Sequence, residues 1–214
     1  MHCNIIPVKS LINSKQRLNS FLTPEEREKL VHALLQDVLT AATNSKLAHC
    51  TLLITSDSKI VKITQQWHLP NLEYLIEPKE KGINYAVQFA LEWCLSKSVS
   101  SILIIPADIP LITAEDIDDL IKLAQEKSSI VIAPSQRKDG TNAFYQQPPN
   151  LFQVWYGPDS FRKNLNLILK KHLPYHILEH PAFALDIDLK EDLIHLQQMN
   201  SNTYTSKFVK NLNI

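Results

Sequence analysis

One aspartate stands out chemically, because it lies between two prolines in Ile105-Pro106-Ala107-Asp108-Ile109-Pro110. It follows residues 101–105, an apolar run typical of a central parallel strand, and Thr113 already supplies the cap of the next helix. A carboxylate at the end of a buried strand loses hydration free energy unless a cation pairs with it, and Mg²⁺ is the usual partner beside phosphates. We therefore predict that Asp108 ligates a metal ion, with a role in the turn as the alternative.

A second acidic pair, Asp186 and Asp188, comes at the end of a short strand predicted at residues 184–187. Side chains two positions apart on a strand point to the same face, so both carboxylates could converge on one cation. The alternative is structural, because Asp188 with Glu191 three residues later matches the N-cap of a helix predicted from about residue 189 to 199. The two roles are compatible.

Three cations follow the first predicted strand with no acid between them: Lys9, Lys15 and Arg17. Such side chains can hold a phosphate group, with a solvated loop as the alternative. The chain has only 3 glycines, so neither a Walker loop nor a Rossmann G-x-G-x-x-G can be assembled. A nucleotide would therefore be bound by another device, and side chains are the candidates.

Composition restricts the class of protein. In 214 residues, 22 Lys+Arg balance 22 Asp+Glu, and this formal net charge of 0 argues against a general binder of nucleic acid or of an anionic membrane. The longest apolar run, residues 102–107, is far shorter than the roughly 20 residues of a membrane span, and the start lacks the features of a signal peptide. Three widely spaced cysteines in apolar surroundings, Cys3, Cys50 and Cys94, indicate a reduced, cytoplasmic protein.

The elements that must position these residues alternate along the chain. Short β-branched runs predict strands, and amphipathic stretches predict helices, two of which begin with capping patterns at Thr23 and Thr113. The predicted strands span residues 4–8, 51–55, 72–76, 101–105 and 129–133, with shorter runs at 142–145, 175–178 and 184–187. A further helix is predicted at residues 159–171.

This alternation predicts one α/β domain over residues 1–214, with a three-layer, mostly parallel sheet and a polar tail that frays after about residue 200. In an open sheet of this kind, ligands bind beyond the carboxyl ends of the strands. The segments just after each strand, which include Asp108 and the three cations, are therefore the candidate site.

Six short motifs in a fixed order are similar to one known family. They are Ile-Pro-Val-Lys with Ser-Lys-x-Arg-Leu, Gly82-Ile-Asn84, Pro-Ala-Asp-Ile-Pro, Gly140-Thr141-Asn142, Gly157-Pro-x-Ser160-Phe and Leu-Asp-Ile-Asp. Together they resemble the 2-phospho-L-lactate/phosphoenolpyruvate guanylyltransferases of coenzyme F420 biosynthesis, which have a nucleotide-diphospho-sugar-transferase-like fold of glycosyltransferase-A type. The resemblance covers residue 4 to about residue 196.

The resemblance implies a GTP-dependent, Mg²⁺-assisted transfer of GMP onto the phosphate of a small phosphorylated carboxylic acid, with release of pyrophosphate. It also implies roles for individual residues. The metal carboxylates are Asp108, Asp186 and Asp188, the triphosphate is held by Lys9, Lys15 and Arg17, the guanine lies near Gly82 and Asn84, and the acceptor is held by Thr141, Gly157 and Ser160. Among these, Asp108, Lys15 and Arg17 are the implied catalytic residues.

The chain departs from the family pattern at three places. Asp159 replaces the second glycine of the usual Gly-Pro-Gly-Ser segment, and Asn164 replaces a histidine that is often found a few residues later. Both border the implied acceptor pocket, so the sequence leaves open whether the acceptor is phospholactate, phosphoenolpyruvate or 3-phosphoglycerate. Leu189-Lys190 replaces the usual Thr-Pro, which affects only the start of a helix.

Two other functions stay open on the sequence. Enzymes of the same fold transfer GMP or CMP to molybdopterin or sugar phosphates, but the glycine-rich first loop of those enzymes is absent here. A nucleotide-binding module without catalysis is the other alternative, although it would not need the three carboxylates at Asp108, Asp186 and Asp188. We expect GTP and a small phosphorylated acid as partners, with a homodimer possible, and neither nucleic acid nor membrane.

Overall fold

The computed structural model describes residues 1–10, 14–127 and 130–212. In these ranges the strands are β1 (His2–Pro7), β2 (Cys50–Thr55), β3 (Leu72–Ile76), β4 (Ser101–Ile104), β5 (Ile130–Pro134), β6 (Thr141–Gln146) and β7 (Tyr175–Ile177). The α-helices are α1 (Pro24–Asn44), α2 (Ser58–Gln65), α3 (Ile83–Ser96), α4 (Ala114–Lys127), α5 (Ser160–Lys170), α6 (Pro181–Ala184), α7 (Lys190–Gln198) and α8 (Tyr204–Lys210). A short 3₁₀ helix covers Gln16–Leu18. The first residue of the predicted strand 129–133, and residues 11–13 of the first loop, lie outside the described ranges.

The strands form one mixed sheet with the order β3-β2-β1-β4-β6-β5-β7. The pairs β3–β2, β2–β1, β1–β4 and β5–β7 are parallel, whereas β6 runs antiparallel to both of its neighbours. In the β4–β6 pair Ile104 is opposite Phe144, so the first residue of β6 lies at the edge where β4 ends. The predicted α/β class with a mostly parallel, mixed sheet is confirmed.

Helices cover both faces of the sheet, which gives the predicted three layers. On one face Val38 of α1 and Ile117 of α4 pack against the sheet, and on the other Ala90 of α3 and Ile168 of α5 do so. All four side chains are fully buried, as expected of the apolar stripes that predicted these helices. No helix in the part of the chain that the structure describes is long and apolar enough to cross a membrane.

Both predicted capping boxes are present. The Thr23 hydroxyl accepts from the Glu26 N–H, and the Glu26 carboxylate accepts in return from the Thr23 N–H. Thr113 and Asp116 make the same exchange at the start of α4. These contacts satisfy N–H groups that a helix start otherwise leaves without partners, and they place each helix start at the predicted residue.

Two predictions near the end of the chain are wrong. Residues 184–187 form no strand, because Pro181 begins the short helix α6 and the chain then crosses to the start of α7. Asp188 does not cap α7: the Asp192 carboxylate accepts from the backbone N–H groups of Asp188 and Leu189 and satisfies them instead. Asp186 and Asp188 therefore do not lie on one face of a strand, as the prediction required.

The tail after residue 200, which was predicted to fray, contains α8. Asp37 of α1 accepts hydrogen bonds from the N–H groups of Tyr204 and Thr205 and from the Thr205 hydroxyl, at 2.6–2.8 Å. Val209 is fully buried in a cluster shared with α1 and α7. The polar sequence gave no sign of this, because the partner of the helix start lies on an element 167 positions away.

Candidate active site

Lys15, Asp108 and Asp188 form the centre of the site, at the carboxyl edge of the sheet. Asp108 follows β4, and Lys15 lies in the loop after β1, the neighbouring strand. The Lys15 ammonium donates to Asp108 Oδ2 at 2.7 Å and to Asp188 Oδ1 at 2.9 Å. The structure thus brings together three of the predicted site residues from distant parts of the chain.

The Lys15 side chain is held rigidly as a cation. It is only 9% exposed, and its backbone has the left-handed conformation (φ 53°, ψ 39°) that residues with a side chain seldom adopt. Burial alone would lower the pKa of Lys15, but Asp108 and then Asp188 raise it above its usual value. Burial opposes the charge on Asp188 as well, yet Lys15 holds the pKa of that carboxyl below its usual range.

Asp186 contacts Arg137, a residue that the sequence did not single out. Arg137 donates from Nη2 to Asp186 Oδ2 at 3.0 Å and from Nη1 to Asp192 Oδ1 at 2.8 Å. The other oxygen of Asp186, Oδ1, is buried and has no hydrogen-bond partner among the described residues. Burial, and then the charge of Asp108, raise the pKa of Asp186 to about 6. Asp186 and Asp188 therefore do not converge on one point in this structure.

Backbone contacts hold the loops of the site together. The Ile187 N–H donates to the Asp108 carbonyl at 3.0 Å, which places the segment after α6 directly beside the end of β4. The Asn142 side chain donates to the Phe183 carbonyl at 2.8 Å, so β6 fixes the other end of the same segment. Arg137 and Asn142 both belong to residues 134–142, which follow β5 and were among the segments expected to reach the site.

The three residues of the centre open into a cleft of about 310 Å³, at the lower end of the size range of small-molecule sites. Lys9 lines the cleft with an exposed side chain. Arg17 lies at the margin, 72% exposed, with Nη1 3.7 Å from Asp188 Oδ2. The three predicted cations are therefore near one another at the site, but only Lys15 is fixed by short contacts.

Thr141, Ser160 and Asn164 form a buried hydrogen-bonded group. Thr141 Oγ1 accepts from Ser160 Oγ and from Asn164 Nδ2, both at 3.2 Å. Asn164 also binds both backbone groups of Trp155, next to the segment that contains Gly157 (φ +139°). Ser160 is not a helix cap, since the N-cap of α5 is Asp159 and has no side-chain cap bond. The residues that the resemblance implies for acceptor binding are thus adjacent, and Asn164 supports them.

Asn84, which the resemblance places near the guanine, makes two hydrogen bonds to the backbone of Tyr156. Its amide donates to the Tyr156 carbonyl at 2.8 Å and accepts from the Tyr156 N–H at 2.7 Å. This pair of contacts joins the start of α3 to the segment before Gly157. Gly82, the N-cap of α3, has φ +89°, a conformation that glycine adopts without strain.

The fit of this site to a metal ion rests on two carboxylates. In the described ranges, no three His, Cys, Asp or Glu side chains are close enough to hold a metal ion by themselves. However, Asp108 Oδ2 and Asp188 Oδ1 face the same point, at which the Lys15 ammonium now lies. Mg²⁺ in nucleotide sites is typically held by one or two carboxylates together with substrate phosphates. The pair therefore fits a metal ion that binds with the nucleotide.

The sheet order and the two layers of helices define the class of fold as nucleotidyltransferase-like. A protein of Desulfovibrio desulfuricans G20 described as a nucleotide-diphospho-sugar transferase superposes with a TM-score of 0.81, at 16% identity, over 98% of this chain and 94% of that one. The 4-diphosphocytidyl-2C-methyl-D-erythritol synthase of Anaerococcus prevotii superposes with a TM-score of 0.63, at 12% identity, over 98% and 96%. At these identities the likeness shows the fold alone.

Sequence comparison identifies the family. Residues 2–214 match the model of the family described as guanylyl transferase CofC like. The 2-phospho-L-lactate guanylyltransferase of Methanocaldococcus jannaschii is 34% identical over 98% of this chain and 88% of its own length. The phosphoenolpyruvate guanylyltransferase of Sphaerobacter thermophilus is 31% identical over 90% of each chain. The chain belongs to the CofC-like guanylyl transferase family, which confirms the resemblance seen in the six motifs.

Proposed function

We propose that this chain transfers GMP from GTP onto the phosphate of a small phosphorylated carboxylic acid, as a step of coenzyme F420 biosynthesis. An oxygen of the acceptor phosphate attacks the α-phosphorus of GTP, the bond to the β-phosphate oxygen breaks, and pyrophosphate leaves with the bonding electrons. The convergence of Lys15, Asp108 and Asp188 in a cleft at the carboxyl edge of the sheet is the observation that carries the proposal.

The chemistry needs cations that hold two negatively charged reactants together. Lys15 is the fixed cation of the site, and Lys9 and Arg17 add charge at the margin of the cleft, where the triphosphate would extend. Asp108 and Asp188 would hold Mg²⁺ with oxygens from the phosphates, and the bound ion would screen the approaching anions. Asp186 has a buried oxygen without a partner and is a further ligand if its side chain turns away from Arg137.

The acceptor would bind beside Thr141, Ser160 and Gly157. Thr141 starts β6 at the same edge at which β4 leads into Asp108, so β6 is the strand next to the one that positions this carboxylate. The Thr141 oxygen accepts from two neighbours, which leaves its own proton available for an acceptor carboxylate or phosphate. Gly157 lets the backbone approach that group closely.

Pyrophosphate release from GTP tests the proposal, measured in parallel with 2-phospho-L-lactate, phosphoenolpyruvate and 3-phosphoglycerate. We expect release with GTP that depends on one of the three acids and is far slower with CTP. Release that needs a sugar phosphate or molybdopterin instead would support the alternative transferase of the same fold. Binding of GTP without release in any mixture would support a non-catalytic nucleotide-binding module.

Three further expectations accompany this function. The balanced net charge remains the argument against nucleic acid as a partner. A cytoplasmic location and a homodimer stay predictions. Size-exclusion chromatography with light scattering measures the oligomeric state directly.

A further inference from the structure

Glu77 is a buried carboxylate with one oxygen to which no described residue forms a hydrogen bond. The residue is 5% exposed, and its Oε1 atom has no hydrogen-bond partner among the described residues. No Lys, Arg or His in the described ranges forms an ion pair with it, whereas burial, and then the charge of Glu80, raise its pKa. A buried carboxylate without a partner lowers the stability of the folded chain, so a role outside stability has to account for it.

The neighbouring residue makes this arrangement more unusual. Ile76, the last residue of β3, is 55% exposed, while Glu77, the next residue, is buried. The Glu77 N–H donates to the Thr55 carbonyl at 3.0 Å and so continues the pairing of β3 with β2. Pairing fixes which side each side chain takes, and the hydrophobic one faces solvent while the acidic one faces inwards. Folding stability alone favours the reverse arrangement.

Glu77 faces a small recess that continues the cleft of the proposed active site. The recess holds about 20 Å³ and is lined by Glu77, Glu80, Gly82 and Ala86, together with four residues that also line the 310 Å³ cleft. Those four are Pro7, Val8, Lys9 and Ile83. In the order β3-β2-β1-β4, Glu77 follows the first strand and Asp108 the last. Three steps of about 4.8 Å separate them, or about 14 Å, a span suited to an extended nucleotide.

We propose that Glu77 determines the base specificity of the enzyme by accepting hydrogen bonds from the N1–H and 2-amino groups of guanine. A carboxylate offers two acceptors side by side, and guanine is the common base whose edge offers two adjacent donors. Adenine and cytosine each place an acceptor beside their single donor group, which a carboxylate would repel. The ring would lie in the larger cleft, and only its edge would enter the recess beside Gly82. This inference rests on the proposed use of GTP.

The test compares GTP with ITP, which differs only by the absence of the 2-amino group. In the wild-type enzyme we expect kcat/KM, and the affinity measured by calorimetry with Mg²⁺ and no acceptor, to favour GTP roughly ten-fold or more. In Glu77→Gln we expect kcat/KM for GTP to fall roughly 10- to 100-fold and the GTP:ITP ratio to approach about one. Glu73→Gln, an exposed glutamate of β3, is the matched control and should leave both values unchanged.

Several results would overturn the inference. Equal kcat/KM and equal affinity for GTP and ITP in the wild-type enzyme would overturn it before any variant is made. We expect the unfolding temperature of Glu77→Gln not to decrease. A lower unfolding temperature, together with equal losses of kcat/KM for GTP and ITP, would mean that Glu77 supports the fold instead. If the wild type prefers GTP in calorimetry but releases no pyrophosphate with any acid, the proposed transfer fails and the role of Glu77 stands. If it binds no guanine nucleotide, both fail.

Discussion

Lys15 and Asp108, 93 positions apart in the chain, form a largely buried ion pair with 2.7 Å between Nζ and Oδ2. Asp188 completes the arrangement at 2.9 Å from the same ammonium. Lys15 therefore balances one of these two negative charges before any ligand binds. Because a divalent ion would use the same two oxygens, metal binding has to compete with Lys15, which becomes free to contact phosphate once it is displaced.

Asp108→Asn should abolish turnover while the protein stays folded. The substitution removes the charge of a proposed metal ligand and one partner of Lys15, and loss of a metal contact costs at least about 10- to 100-fold in activity. Steady-state kinetics of pyrophosphate release, with circular dichroism for folding, measure both parts. Asp119→Asn, on the exposed side of α4, is the control, and its kcat should match the wild type. More than about a tenth of the wild-type kcat in Asp108→Asn would contradict the metal assignment.

Activity should require Mg²⁺ or Mn²⁺ and be indifferent to a zinc-selective chelator. The available ligands at the centre are carboxylate oxygens, which suit hard cations, and Asp108 and Asp188 lie where phosphates can complete the coordination. Calorimetry adds a readout that does not depend on turnover: Mn²⁺ should bind more tightly with GTP present than without it. Activity that is lost to the zinc-selective chelator and restored only by zinc would refute this.

Ser160→Ala should raise the KM for the acid roughly ten-fold or more and leave the KM for GTP unchanged. The Ser160 hydroxyl donates to Thr141 Oγ1, so its removal disturbs the group proposed to hold the acceptor and nothing proposed to hold the nucleotide. The exposed Ser96→Ala at the end of α3 controls for loss of a serine hydroxyl. If both KM values stay at the wild-type level and only the melting temperature falls, Ser160 has a structural role and the acceptor binds elsewhere.

The unfolding free energy should decrease between about pH 6.5 and pH 4 because of His2. Burial lowers the pKa of His2 to about 4 from its usual 6.5, and the ring lies between Ser101 and Asn4. As the pH falls, His2 therefore takes up a proton in the unfolded chain before it does so in the folded chain. Its contribution to the free energy of unfolding is about 3 kcal/mol at pH values above 6.5, and it is lost progressively towards pH 4.

Denaturant titrations at pH 7, 5.5 and 4.5 measure this contribution. In His2→Gln the loss of stability over this range should be smaller by about 2–3 kcal/mol than in the wild type. His68→Asn, at an exposed position with φ 48° that asparagine tolerates, should keep the wild-type pH dependence. Identical slopes for the wild type and His2→Gln would show that His2 is not the titrating group.

Much of the fold follows from signals that lie within a few residues of each other. The run at residues 101–105 predicted β4, the capping box at Thr23 predicted the start of α1, and the proline-flanked Asp108 predicted an acidic group at the carboxyl edge. Such features depend on local periodicity and local hydrogen bonds, which are written in consecutive residues. These local signals were therefore enough to predict the α/β architecture, and the six ordered motifs were enough to predict the family.

Which charged groups meet depends on how distant elements pack against one another. Arg137 bridges Asp186 and Asp192, Lys15 joins Asp108 to Asp188, and Asp37 caps α8. In the part of the chain that the structure describes, Glu77 Oε1 has no hydrogen-bond partner. Each of these contacts, or the lack of one, involves residues of different elements. The residues next to a charged side chain in the sequence do not reveal its distant partner. Ion pairs form wherever chain crossings bring opposite charges to the same buried place, and those crossings are set by how helices and strands pack rather than by any one segment.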